Sequence, residues 1–175
     1  MRIVAGTYGG RSIIAPKSSG TRPMTDKVRA ALFDSLGDLQ DVSVLDAYAG
    51  SGAVGFEAFS RGAGNVEAIE QAWAAVKVIK ANQAALGIDW GYALHQVTVE
   101  SWLAHQTDKR FDIVIADPPY ERIKVDVLEK LGRLLAPQGL LVVSHSSRVE
   151  TPKLEGLTRI SNKVYGDSTL STYQA

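Results

Sequence analysis

Four consecutive residues, Asp117-Pro118-Pro119-Tyr120, directly follow the apolar run 111–116. An exocyclic amine of a nucleobase is a poor nucleophile because its lone pair is conjugated with the ring. A carboxylate and a proline carbonyl could each accept one N–H of such an amine, and two prolines stiffen the backbone that carries them. The aromatic ring could then stack on the base. These residues predict a site that holds a base amine, although a proline-rich loop with a capping Asp is the alternative.

A glycine-rich stretch follows the strand that ends at Asp46 and carries G-x-G-x-x-G spacing at Gly50, Gly52 and Gly55. That spacing alone is typical of dinucleotide binding, with Glu70 at a suitable distance for a ribose hydroxyl. Here, however, the strand ends at an acid, and the first glycine does not follow it immediately. An anion at this point suits a ligand with an ammonium group, such as S-adenosylmethionine (SAM), which glycines allow the backbone to approach. The stretch therefore favours a SAM site over a dinucleotide site or an empty turn.

Further polar residues follow the next predicted strands. The carboxylate of Glu70 could accept both hydroxyls of a ribose, and Glu100 could accept the amine of an adenine with Gln71 beside it. An exposed surface side chain is the alternative for each acid. The candidate cofactor-binding residues are Asp46, Tyr48, Gly50, Ser51, Gly52, Glu70, Gln71, Glu100 and Asp117.

Strand-like and helix-like segments alternate along the chain. The predicted strands are 42–45, 66–69, 92–99, 111–116 and 140–144, with a closing hairpin of 157–164 and 169–173. The predicted helices are one from Thr25 to near Gly37, and then 54–61, 72–86, 101–105 and 125–135. This order predicts an α/β fold with a doubly wound, seven-stranded, mainly parallel sheet and an antiparallel C-terminal hairpin. Ligands bind at the carboxyl ends of such strands, where all three motifs fall.

The N-terminal segment concentrates positive charge in an otherwise neutral chain. Residues 1–30 hold six basic side chains and one acidic side chain, so the remainder is net negative. Apolar runs on either side of Gly6, Gly9 and Gly10 predict a small β-hairpin. We expect residues 1–21 to form an extension that contacts a polyanion such as RNA, with a solvated basic tail as the alternative.

Composition excludes several classes of protein. There is no cysteine, so neither disulfides nor thiolate metal sites can form, and the three histidines lack the spacing of metal ligands. No apolar segment approaches the length of a membrane helix or a signal sequence. We therefore expect one domain spanning 1–175, in the cytoplasm and without metal. The tryptophans Trp73, Trp90 and Trp102 are expected to pack inside it.

Together these motifs resemble the Class I SAM-dependent methyltransferases of base amines, and more closely the RsmD family. The resemblance covers nearly the whole chain. It is carried by Gly6-x-x-Gly9-Gly10-Arg11, Arg22-Pro-Met-Thr-Asp26, Val28-Arg29, Leu32-Phe33, the stretches 46–55, 57–58 and 60–63, Asp117–Tyr120 and Tyr165-Gly166-Asp167. Three positions depart from the family pattern: Met24 replaces a threonine, Glu100 an aspartate, and Ser144 an acid before His145.

The resemblance implies a reaction and a role for each residue. The family methylates the N2 amine of a guanine in bacterial 16S ribosomal RNA. Asp46, Gly50 and Gly52 would hold the methionine part of SAM, and Glu70 its ribose. Asp117 and the Pro118 carbonyl would hold the amine while Tyr120 stacks on the guanine. The residues expected to face RNA phosphates are Arg2, Arg11, Arg22 and Arg29.

Two other functions fit the same residues. An adenine-N6 methyltransferase acting on RNA or DNA would use the same acceptor pair, because both amines present two N–H donors. A non-catalytic, RNA-binding ribosome-assembly factor could retain the fold without the reaction. We expect a monomer that acts on 16S rRNA, within a small ribosomal subunit or an assembly intermediate.

Overall fold

A seven-stranded β-sheet forms the centre of the computed structural model, which describes residues 1–16, 24–105 and 108–175. Its strands are β1 Ser43–Ala47, β2 Asn65–Ile69, β3 Tyr92–His95, β4 Phe111–Ala116, β5 Leu135–Ser146, β6 Thr158–Tyr165 and β7 Ser168–Gln174. The strand order is β3-β2-β1-β4-β5-β7-β6. The first five strands are parallel, and β7 is antiparallel to both β5 and β6. The predicted α/β fold with an antiparallel C-terminal hairpin is confirmed.

The helices lie between the strands as the alternating pattern predicts. They are α1 Asp26–Leu36, α2 Ala53–Ser60, α3 Trp73–Leu86, α4 Val99–Leu103 and α5 Val125–Gly132, with a 3₁₀ turn at Tyr120–Arg122. The Thr25 hydroxyl caps α1 by accepting the Val28 N–H at 3.3 Å. At the other end Gly37 has a φ of 82°, a conformation that glycine adopts without strain.

Several predicted boundaries were wrong. The third strand ends at His95 and not at residue 99, because the Thr98 hydroxyl accepts the Ser101 N–H at 3.1 Å and starts α4 there. The last helix ends at Gly132, and β5 begins at Leu135, five residues early. Here the Phe111 N–H bonds the Leu134 carbonyl oxygen at 2.8 Å, so this backbone joins the sheet.

Both faces of the sheet are covered, which is why the central strands are apolar throughout. Along β1, Val44 faces a core formed with α1, α2, α3 and the N-terminal segment. Its neighbour Leu45 faces a second core formed with α4 and α5. In β4, Ile113 likewise faces the first core and Val114 faces the second. This arrangement leaves the carboxyl ends of β1, β2 and β4 together at one edge of the sheet.

The N-terminal segment forms a short antiparallel pair and not a pair of regular strands. Arg2 and Ser12 form a single bridge, and the Ile3 N–H bonds the Arg11 carbonyl oxygen at 3.0 Å. The Ile3 side chain is fully buried in the first core. A Cβ on Gly6, which has a φ of 80°, would overlap the Ser60 carbonyl group. The segment is therefore packed on α2, while residues 17–21 of the predicted extension lie outside the described residues.

Candidate functional site

A cleft of about 560 Å³ opens at the carboxyl ends of the central strands. Six of the nine predicted cofactor-binding residues line it: Tyr48, Gly50, Glu70, Gln71, Glu100 and Asp117. The apolar side chains of Ile69, Val97 and Val99 form another part of the wall. This volume lies in the range of small-molecule sites, and the mixture of apolar walls with a few polar groups is typical of them.

The turn after β1 depends on glycine. Gly50 and Gly52 have φ values of 56° and 78°, which side chains other than glycine rarely adopt. A Cβ on Gly52 would also come within 2.7 Å of the Phe56 ring. Tyr48 has a φ of 76° without being a glycine, and such strain is concentrated at functional sites. The turn thus presents backbone, and not side chains, to the cleft at Gly50.

Glu70 joins this turn to the start of α3. One oxygen of its carboxylate accepts the Gly50 N–H at 2.9 Å, and the other accepts the Ala72 N–H at 2.7 Å. Each oxygen has a further lone pair, so the carboxylate can also accept two neighbouring hydroxyl groups from the cleft. This capacity is what a ribose would require.

Asp46 lies behind the glycine turn and does not line the cleft. Its carboxylate is buried and accepts the Gly55 N–H at 2.9 Å. Burial is the main cause that raises the pKa of Asp46 to about 7; the hydrogen bond from Gly55 opposes this rise, and the charges of Asp117 and Glu70 add to it. Ser51 and Gly52 are also absent from the cleft wall. Three predicted cofactor residues therefore shape the turn instead of facing the cleft.

The predicted amine-binding motif lies directly after β4. Burial raises the pKa of Asp117, against a hydrogen bond with Ser144 that lowers it. The Tyr120 hydroxyl is held between Ser144 at 3.1 Å and Ser168 at 2.8 Å, while part of its ring remains exposed. Two strands, β5 and β7, thereby fix the tyrosine next to the aspartate.

Glu100 has a basic partner that was not predicted. Its carboxylate accepts a hydrogen bond from the Lys124 ammonium at 2.9 Å, and this contact lowers the pKa of Glu100. Lys124 also lines the cleft. Glu100 is therefore a charged acceptor at the cleft wall.

The sequence matches, over residues 1–174, the family described as Conserved hypothetical protein 95. It is 35% identical over 161 residues to ribosomal RNA small subunit methyltransferase D of Escherichia coli K12, a match that covers 91% of this chain and 79% of the relative. The chain belongs to the RsmD family.

Two further comparisons extend over almost the full length. Ribosomal RNA small subunit methyltransferase D of Haemophilus influenzae is 30% identical over 183 residues, covering 99% of this chain and 93% of the relative. Among solved structures, the Thermus thermophilus hypothetical protein TTHA0928 is 30% identical with a TM-score of 0.86, covering 100% of this chain and 99% of that one. The RsmD resemblance inferred from the motifs is confirmed.

The four arginines expected to face RNA have different environments in this RsmD-family protein. The side chain of Arg2 is 70% exposed, and its closest acid is Asp26 at 4.0 Å. Arg11 is exposed but donates hydrogen bonds to the carbonyl oxygens of Ala85 at 2.8 Å and Leu86 at 3.3 Å. It therefore caps the carboxyl end of α3. Arg22 lies outside the described residues.

Arg29 does not fit its predicted role, so the prediction that it faces RNA phosphates was wrong. Its side chain is 0% exposed, and the guanidinium contacts Asp26 at 2.9 Å and Glu57 at 3.4 Å. It also donates to the Arg2 carbonyl oxygen. A buried guanidinium of this kind stabilises the packing of the N-terminal segment on α1 and α2, and it cannot reach a phosphate.

Sequence reasoning missed Ser144, Ser168 and Lys124 as parts of the site. Ser144 lies near the carboxyl end of the fifth strand, at the same rim, and this position could have indicated a role. Ser168 begins the last strand, and its closeness depends on how β7 pairs with β5. Lys124 lies between two elements, so its approach to Glu100 depends on the tertiary fold.

Proposed function

We propose that this RsmD-family methyltransferase transfers a methyl group from SAM to the N2 amine of a guanine in small-subunit (16S) ribosomal RNA. Its relatives are named ribosomal RNA small subunit methyltransferases, which supports rRNA as the substrate. The observation that carries the proposal is the convergence of Asp117, Glu70 and the Gly50 turn on one cleft. An acceptor motif for an amine and a site for a nucleoside-like cofactor thus share a wall.

The residues around the cleft fit SAM. Glu70 has free lone pairs for a ribose, and Ile69, Val97 and Val99 can flank an adenine whose amine Glu100 would accept. The carboxylates of Glu70 and Asp117 lie close enough to Asp46 to add to the rise in its pKa that burial causes. A cofactor that carries an ammonium and a sulfonium group would relieve this repulsion.

When bound, SAM supplies a methyl group on an activated sulfonium, so the protein needs to position the nucleophile and not to activate the donor. Asp117 and the Pro118 carbonyl would accept the two N–H groups of the target amine and orient its lone pair. The raised pKa of Asp117 also suits it to take up the proton that the amine releases. Tyr120, fixed by Ser144 and Ser168, would stack on the base.

The target base must leave its stack before it can enter this cleft, unless it is already unpaired. Loops and ends of RNA supply such bases at low cost. We propose that the protein acts as a monomer, without metal, on the small subunit or an assembly intermediate. Among the described residues, no group of three or more histidine or acidic side chains could hold a metal ion. Treating the protein with EDTA and removing the chelator before the assay is expected to leave the rate unchanged.

The deciding experiment is transfer of labelled methyl groups from SAM to small ribosomal subunits that lack the modification, with naked 16S rRNA in parallel. Nucleoside mass spectrometry then identifies the product. N2-methylguanosine at a single position is the expected result. Methyladenosine would overturn the assignment to guanine while retaining methyl transfer. No transfer to either substrate despite SAM binding would overturn the enzymatic function in favour of an RNA-binding assembly factor.

A further inference from the structure

Two of the three tryptophans are exposed, so the prediction that all three pack inside the protein was wrong. Trp102 is 4% exposed, whereas Trp73 is 63% and Trp90 is 76% exposed. An indole in water leaves a large apolar surface uncovered, which marks a place where a partner can bind. The two exposed residues lie at opposite ends of the parallel strands. Trp73 begins α3 after the carboxyl end of β2, and Trp90 precedes the amino end of β3.

Trp73 stands at the rim of the cleft but outside it. Ala72, Ala74 and Ala75 line the cleft, and Trp73 does not. The helix that starts here follows β2, and Asp117 follows β4, with only β1 between these two strands. Neighbouring strands are about 4.8 Å apart, so the ends of β2 and β4 are separated by about 10 Å. The start of α3 and Asp117 therefore flank the same opening.

The surroundings of Trp73 are basic. The Lys77 ammonium lies 4.1 Å from the centroid of the indole ring, one helical turn further along α3. Lys80 is exposed on the next turn. Helix α3 contains no acidic residue, and neither lysine forms an ion pair with a carboxylate in the part of the chain that the structure describes. An exposed aromatic ring thus adjoins two uncompensated positive charges.

We infer that Trp73, Lys77 and Lys80 form a docking surface for a single-stranded segment of the substrate RNA. One base of the RNA stacks on the open part of the indole, and the phosphates beside it contact the two ammonium groups. Stacking on aromatic side chains combined with phosphate contacts is the usual way in which proteins hold single strands. The inference rests on the proposed function, because it takes RNA as the substrate, and it adds a contact for nucleotides beside the target base.

Direct binding tests this surface without requiring the reaction. A fluorescein-labelled single-stranded RNA oligonucleotide is titrated with the full chain, and its anisotropy gives the affinity. Trp73→Ala is expected to weaken binding about ten-fold, within the range measured for stacking of one base. Trp73→Phe should retain most of the affinity because it keeps an aromatic face. Lys77→Gln with Lys80→Gln should weaken binding and reduce its salt dependence.

Trp90→Ala is the matched control, since it removes another exposed tryptophan, which lies at the opposite end of the parallel strands. Its RNA affinity is expected to equal that of the wild type. Tryptophan fluorescence gives a second readout that reports stacking itself. RNA should quench the emission of the wild type and of Trp90→Phe, and should quench Trp73→Phe much less.

The outcomes separate this inference from the proposed function. If the wild type methylates RNA and Trp73→Ala binds the oligonucleotide as tightly, the docking surface is wrong and the function stands. If the variants lose RNA affinity as expected while the wild type transfers no methyl group, the surface stands and the function fails. A loss of SAM affinity in Trp73→Ala with unchanged RNA affinity would assign the residue to the cofactor and overturn the inference.

Discussion

Asp117 is the residue on which the proposed chemistry depends most. Replacing it with Ala removes a fixed acceptor for the target amine, and a loss of one such group lowers the rate about 10²- to 10³-fold. SAM affinity, measured by calorimetry, should fall much less than the rate. Asp112→Ala is the control, because Asp112 lies at the other end of β4, the strand that precedes Asp117, and there accepts hydrogen bonds from Ser43. Near-normal turnover by Asp117→Ala would show that the amine is held by other groups.

Asp46 makes the stability of the fold depend on pH. Its pKa in the folded protein is about 7, against 3.8 ordinarily, so the folded state binds a proton that the unfolded chain releases. The contribution of this group to the free energy of unfolding therefore falls as pH rises from about 4 to 7. Asp46→Asn removes the cost of keeping a buried carboxylate charged. We therefore expect it to raise the free energy of unfolding by up to about 4 kcal/mol near pH 8.

Urea denaturation across pH would measure this effect, and the difference between variant and wild type should vanish near pH 4. Asp46→Asn should also weaken SAM binding, because it deletes a negative charge behind the glycine turn at Gly50 and Gly52. A variant that is stabilised and loses affinity would show a trade-off between stability and function. A pH-independent difference in stability would contradict the pKa of about 7.

At the scale of elements, Glu57 of α2 holds the N-terminal segment in place. Its buried carboxylate accepts the N–H groups of Val4 at 2.7 Å and Ala5 at 3.1 Å, and it contacts Arg29 and Arg61. Glu57→Ala would leave a buried guanidinium and two backbone donors without this acceptor. We expect the free energy of unfolding to fall by about 3–5 kcal/mol.

Glu57→Gln should be intermediate, because it keeps an acceptor but loses the charge. Arg148→Ala is the control for an exposed pair, since its contact with Asp167 lies in solvent and is worth less than about 1 kcal/mol. Chemical denaturation of the variants gives both values. Equal costs for Glu57→Ala and Arg148→Ala would mean that the buried network does not stabilise the segment.

The elements differ in how far the sequence alone determines them. Period-two and helical patterns, together with glycine and proline, are local, so the order of strands and helices was predictable. The position of Glu70 and Asp117 at the cleft was predictable for the same reason, since each directly follows a strand at a known rim. Arg29 was assigned wrongly because its partner Glu57 is 28 positions away, and only the fold reveals that contact. The exposure of Trp73 also depends on the fold, because aromatic residues are usually buried.

For the whole molecule, a net charge of zero limits the attraction to RNA to local surfaces. We expect a salt dependence that reflects few phosphate contacts, each contributing a slope of about −0.7 in log K against log salt for a single strand. Arg2→Ala should flatten that slope by about 0.7, because Arg2 is the exposed arginine of the N-terminal segment with only a distant acid. Anisotropy titrations at several salt concentrations measure this.

Lys153→Ala is the control for that measurement, because Lys153 is an exposed basic residue on the loop between β5 and β6. Its slope should match the wild type. An unchanged slope in Arg2→Ala would contradict an RNA contact by the N-terminal segment. Arg11 is less suitable for this test, because its loss would also uncap α3.

The position of β7 has a consequence for the nascent chain. This strand lies between β5 and β6 but is made after both of them. During translation, β5 therefore presents an open edge, and β6 emerges with no sheet neighbour and with Ile160 and Val164 facing water. Until β7 inserts, both strands have unpaired edges that are available to other chains, a hazard for aggregation. A truncation before residue 168 would thus detach two strands from the sheet and not one.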